Sequence, residues 1–152
     1  MIIEDALILL RNTPPFSFLD EASLNDIAKN IQMEFYPKGR MILHQNGPSS
    51  EHLNIIKTGE VKVFVRTNEG EEVEIAYRTS GDYFGLLSMI CGDLSRDNVV
   101  AMEDTVCYLT RKDTVLGLLK VNAAFSEFYL RDLLKKLVEV TYKEVNDRTL
   151  LY

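Results

Sequence analysis

The chain has 152 residues, the length of one domain, and its 46% hydrophobic and 26% charged residues supply both a core and a charged exterior. Seventeen Lys and Arg against 23 Asp and Glu leave a formal charge of −6, which argues against a nucleic-acid backbone as the main partner, because such partners usually demand a basic face. No apolar run reaches the roughly 18 residues of a membrane helix, acids stand at Glu4 and Asp5 where a secretory signal carries bases, and two cysteines are too few for a disulfide framework, so a cytoplasmic chain with Cys91 and Cys107 both reduced and buried is expected.

Leu7 and Leu10, then Leu24, Ile27, Ala28 and Ile31, recur at three- and four-residue steps, so residues 1–32 read as two helical segments. Thr13-Pro14-Pro15 breaks them, and either Asp20 or Ser23 can cap the second. Over residues 33–112 the period falls to two. The runs Met41–Leu43, Leu53–Ile56, Val61–Val65, Val73–Tyr77, Val99–Met102 and Val106–Leu109 are short and rich in β-branched residues. Between them stand glycine turns such as Thr58-Gly59, Asn68-Glu69-Gly70 and Ser80-Gly81-Asp82. Strands and turns this regular predict an antiparallel β-barrel or jelly roll, which hides its edges by wrapping round.

Residues 113–152 return to a helical period. Asp113 is a candidate N-cap for Val115–Val121, and Asn122 for a longer helix from Ala123 to about Val145. The apolar stripe of that last helix is wider than one docking face needs. A homodimer seam through Leu130, Leu134, Leu137 and Thr141 accounts for the excess, with Val138 and Val145 flanking it and Leu133 and Val140 turned to the barrel.

Little in the chain suggests catalysis. The only histidines, His44 and His52, lack the H-x-H pair and later His of a metal-binding cupin, so neither a metal nor a small cupin-like enzyme is expected. Ser88 follows Gly85-Leu86-Leu87, which is no nucleophile elbow, and no P-loop lysine is present. Glu71-Glu72 and Glu103-Asp104 read as solvated turn charges. No residue is assigned a catalytic role. The segment from Gly81 to Val100 remains: a strand ends at a glycine turn, a short apolar helix opens at Gly85, and Arg96 precedes the next strand. Free helix N–H groups and a guanidinium make such a segment a small anion seat.

Here the chain resembles the cyclic-nucleotide-binding domain family, the barrel shared by CRP-type regulators and protein-kinase-A regulatory subunits. The blocks that carry the resemblance are Pro15-Phe16-Ser17-Phe18-Leu19, Tyr36-Pro37-Lys38-Gly39, Ile55 to Val63, the Gly-Asp-x-Phe-Gly of 81–85, Ala101 to Leu109, and Asn122-Ala123-Ala124-Phe125. The resemblance implies an eight-stranded jelly-roll barrel with N-terminal helices and a long C-terminal helix, together one domain. It places Phe84, Gly85, Leu86, Leu87, Arg96, Asp97 and Asn98 around a cyclic nucleotide or another small anion, with Arg96 as the phosphate partner. Two positions depart from the family pattern. Leu86 stands where a ribose-binding glutamate is expected, and an unpaired buried hydroxyl costs on the order of 1–3 kcal/mol. Asp97 replaces a small residue, and the window 81–104 holds five acids against Arg96 alone. Weak or absent binding of cyclic AMP and cyclic GMP follows, with a ligand-free dimerisation or interaction module as the alternative. The transcription-factor branch adds a helix-turn-helix beyond the long helix; this chain shows none, so DNA is not an expected partner. Residues 101–128 look most like the N-terminal sensor of bacterial signalling proteins that join this domain to a CBS pair and a nucleotidyltransferase-like domain, which implies further domains in a longer chain.

Overall fold

The computed structural model of the protein describes residues 2–92 and 94–149, with side chains through Glu139 and at Thr141. Helix α1 (Ile2–Arg11), a 3-10 turn at Phe16–Phe18 and α2 (Glu21–Asn30) precede eight strands: β1 (Gln32–Tyr36), β2 (Met41–Leu43), β3 (His52–Thr58), β4 (Val61–Arg66), β5 (Glu72–Arg78), β6 (Tyr83–Phe84), β7 (Asn98–Ala101) and β8 (Thr105–Arg111). A short helix α3 (Leu86–Cys91) lies between β6 and β7, and α4 (Lys112–Val121) and α5 (Ala123–Thr149) follow β8.

The strands form two four-stranded antiparallel sheets, ordered β1-β8-β3-β6 and β2-β7-β4-β5. Strand alternation divides the apolar residues into two cores. Along β8, Cys107 and Leu109 point into the barrel with Ile56, Val63 and Ile75, whereas Tyr108 points outward to the helices. On that outer face Leu53, Ile55 and Tyr108 meet Leu7 and Leu10 of α1, Leu24 and Ile27 of α2, and Phe125 and Tyr129 of α5. The first sheet is thus apolar on both faces, while the second closes the barrel from the other side.

Two of the eight strands, β1 and β6, add to the six runs visible as alternation. Of the two candidate caps, Asp20 caps α2, accepting from the Ser23 backbone N–H at 2.7 Å. Asn122 caps α5 in the same way through Phe125 N–H at 2.9 Å. Asp113 caps nothing: α4 begins at Lys112, the residue before it makes no side-chain cap bond, and Asp113 sits in the first turn, 3.7 Å from Arg111. An acid there suits the positive helix end. The two thiols also part company, for Cys107 is buried in the barrel but Cys91 is exposed at the end of α3. Burial pushes the Cys107 thiol up to about 12. Among the described residues no helix is long and apolar enough to cross a membrane.

The β3–β4 turn is the tightest backbone approach in the barrel. Gly59 has φ 102°, and a Cβ on it would lie 2.4 Å from Thr105 Oγ1 and 2.6 Å from the Asp104 carbonyl oxygen. At Gly70, φ 83°, the same atom would meet open space. Gly70→Ala is therefore expected to destabilise by about 1–2 kcal/mol, the strain of a left-handed alanine. Gly59→Ala should lose about 1–3 kcal/mol beyond that, because the strand ends must also separate. Urea midpoints of the two variants give the comparison, and equal losses would show that the close approach is relaxed without penalty.

Candidate ligand-binding site

A cleft holding about 730 Å³ of empty space, its open mouth included, lies between the barrel interior, the segment after β6, and α5. The chain path builds it from alternation. Tyr83 and Phe84 are neighbours in β6, and Tyr83 packs with the helix-side core while Phe84 packs inside the barrel. Gly85 then turns the backbone at φ 92° into α3. A Cβ at that position would come within 3.2 Å of the Ser50 side chain and 3.3 Å of the His52 carbonyl, so the turn needs both the freedom and the smallness of glycine. Ser50 anchors this approach by donating its hydroxyl to the His52 carbonyl.

Six of the seven sequence-assigned site residues line the cleft: Phe84, Gly85, Leu86, Leu87, Arg96 and Asp97. Leu86 is 1% exposed and packs into the helix-side core, so the position after Phe-Gly presents hydrocarbon to both cleft and core. Arg96 also lines the cleft and is exposed. Its loop is held by the buried Ser95, whose hydroxyl donates to the Asp97 carbonyl at 2.8 Å and whose backbone pairs with Asn46 and Gly47. Asn98 does not line the cleft. Alternation turns it away from Val99, and its amide accepts from Gln45 N–H at 2.9 Å and donates to Gln45 Oε1 at 3.1 Å. It is a fastening of β7 to the β2–β3 loop.

Linear spacing leaves two cations of the cleft unassigned. Arg78, at the end of β5, and Lys136, on α5, line it with Arg96, so three bases share the cleft with Asp97 where the window 81–104 contains one. Arg78 is paired with Glu139 at 3.5 Å. Asp132 accepts both the Tyr83 hydroxyl and the Lys136 ammonium, and that ammonium lies 4.1 Å from the Tyr83 ring centroid. Burial pushes Asp132 up, but the bonds from Lys136 and Tyr83 outweigh it and hold the carboxyl below the usual aspartate range. Burial first, and the bond to Asp132 second, raise the Tyr83 hydroxyl. The i,i+4 spacing of Asp132 and Lys136 was the one signal in the sequence that could have found this cluster.

The last helix divides otherwise than expected. Leu133 and Leu137 line the cleft, Leu137 although the sequence pattern sets it in the seam. Leu130, Leu134 and Val138 are 61%, 53% and 66% exposed, and Thr141 is exposed beside them. The side chains of Val140 and Val145 lie outside the described residues, as does Asp93. Among the described residues no group of three or more His, Cys, Asp or Glu could hold a metal ion.

The barrel, the helix after β6 and the long closing helix together have known counterparts. A family model described as the cyclic nucleotide-binding domain matches residues 33–122. This chain belongs to the cyclic nucleotide-binding domain family. The cGMP-dependent protein kinase, isozyme 1, of Drosophila melanogaster is 33% identical over 110 residues, which are 71% of this chain and 14% of the kinase. The regulatory domain of Toxoplasma gondii PKA, co-crystallised with cAMP, superposes with a TM-score of 0.77 at 15% identity, covering 88% of this chain and 50% of that one. The sensor domain of the transcriptional regulator DNR from Pseudomonas aeruginosa gives 0.76 at 18% identity, over 91% of this chain and 93% of its own. At these identities the two structures share the fold. Eight antiparallel strands with N-terminal helices and a C-terminal helix are the jelly roll of this family.

Asp132→Asn removes the charge that joins β6 to α5. With its folded pKa depressed, Asp132 contributes stability that is present above the ordinary aspartate range and lost as pH falls through the folded value. The variant should melt about 2–4 °C below wild type at pH 7, for a partly exposed pair worth about 1 kcal/mol. The gap should begin to narrow below about pH 4, where the unfolded chain takes up the proton, and close once the folded carboxyl is protonated too. Thermal melts from pH 7 downward test this, and a gap that does not narrow at all as pH falls below the ordinary aspartate range would assign the loss to packing.

Proposed function

We propose that this domain is a non-catalytic, cytoplasmic regulatory module of a signalling protein whose cleft binds cyclic AMP and cyclic GMP weakly or not at all. The observation that carries the reading is Leu86: the side chain after Phe84-Gly85 is buried hydrocarbon, and no carboxylate stands there to accept a ribose hydroxyl. Asp97 at the cleft wall adds a negative charge near Arg96, where a phosphate would sit. Because the chain spans 14% of the cGMP-dependent protein kinase it matches, its output is read as lying in another part of a longer polypeptide.

Calorimetric titration with both cyclic nucleotides tests the pocket. Dissociation constants no tighter than roughly 0.1 mM are expected, and micromolar affinity for either would overturn the reading. The double variant Leu86→Glu, Asp97→Ala should melt below wild type, since a carboxylate in that core lacks a partner, and should regain more on adding cyclic AMP than wild type does.

A second reading, that the domain also assembles as a homodimer through α5, is favoured by the exposed stripe of Leu130, Leu134 and Val138. A twofold pair would bury the same stripe on both copies. Light scattering should give about twice the 17.4 kDa chain mass, and Leu134→Glu should return the mass to one chain. A wild-type mass of one chain would end the dimer reading.

A further inference from the structure

Resting on that reading of a poor nucleotide pocket, we infer that the cleft is a binding site for a monoanionic acid with an apolar body, a carboxylate carried on an alkyl or aromatic frame, whose head replaces Glu139 on Arg78. Glu139 itself displays the recognition chemistry: a carboxylate on a short aliphatic stem, 3.5 Å from the Arg78 guanidinium at the cleft wall. The Glu139 side chain is 34% exposed and Arg78 only 17%, so the acid can swing out to water while the guanidinium stays in place. With Glu139 displaced, Arg78 and Arg96 line the cleft with Asp97, a surplus of one positive charge among these three that a single carboxylate neutralises. Asp132 meanwhile stays with Lys136 and Tyr83.

The rest of the cleft suits hydrocarbon. Val63, Ile75 and Val99 supply the barrel side, and Leu133 and Leu137 the helix side. Beside the Asp97 carboxylate, the acceptors among the cleft's side chains are three hydroxyls that already carry hydrogen bonds, and Ser88 accepts from the Ser50 N–H at 3.5 Å. The Ser95 hydroxyl is donated to the Asp97 carbonyl, and the Tyr83 hydroxyl to Asp132. Each sugar hydroxyl or base amino group buried there without a partner lowers affinity by about 5- to 150-fold, whereas an apolar acid brings no such donors.

The test is calorimetric titration of the full chain with decanoate, 2-naphthoate, decanol and cyclic AMP. At least one of the two acids should bind at least about tenfold more tightly than decanol. A preference for decanoate over 2-naphthoate identifies an alkyl frame, and the reverse an aromatic one. Glu139→Gln should tighten acid binding about threefold or more by removing the resident competitor. Arg78→Gln should erase the preference of acid over alcohol, and Arg78→Lys, which keeps the charge and guards against a mere folding defect, should restore part of it. Equal binding of decanol and the acids, no acid binding up to roughly 1 mM in wild type and Glu139→Gln alike, or unchanged acid affinity in Glu139→Gln would each overturn the inference. Micromolar cyclic AMP binding would instead overturn the reading on which it rests.

Discussion

The two residues of β6 set the geometry on which the cleft depends. Tyr83 and Phe84 project to opposite sides of one sheet, as successive strand residues must. Tyr83 reaches Tyr129 and Asp132 on α5, and Phe84 reaches the barrel core. The segment that follows is thereby indexed to both layers at once, and because Ser50 stands close against the turn into α3, only glycine fits at position 85. A change at this point would shift the cleft floor, the closing helix and the loop of Arg96 together.

Electrostatics in the cleft follow from tertiary folding more than from local sequence. The segment of 81–104 is acidic, yet β5 and α5 bring Arg78 and Lys136 to the cleft that Arg96 lines. Arg78 of β5 is paired with Glu139 of α5, and Asp132 of α5 takes the Tyr83 hydroxyl of β6 while pairing with Lys136 of its own helix, so polar bonds hold the helix as well as Leu133 and Leu137. The Arg78–Glu139 pair is weak where water reaches it, and its effect lies in fixing which face of α5 meets the barrel.

Much of this was legible in the sequence, for identifiable reasons. The six runs with clear alternation are strands, and the caps at Asp20 and Asn122 are where side-chain oxygens precede helical periods. β1 was harder to see because Met33 and Phe35 are exposed on an edge strand, so its apolar residues do not mark an interior. β6 was invisible because two residues cannot show a period. In the site, Phe84, Gly85 and Arg96 were readable from spacing and resemblance, whereas Asn98 was misplaced by one step of strand alternation. Leu137 lines the cleft while the neighbouring Val138 is exposed, about 100° round the helix, and an apolar stripe this wide does not say which edge is inner.

The sheet that is apolar on both faces has a consequence for how pairing is specified. In most sheets a one-residue slip is prevented by polarity, because it would drive charged side chains inward. Along β8 such a slip would exchange one apolar residue for another, placing Tyr108 in the barrel and Cys107 under the helices. What forbids it is volume: a ring would have to enter a space filled by a thiol, and a thiol would leave a void beneath Phe125 and Tyr129. The alignment of β3, β8 and β6 is therefore written in side-chain size, and substitutions that equalise the two faces should blur that alignment before they unfold the domain.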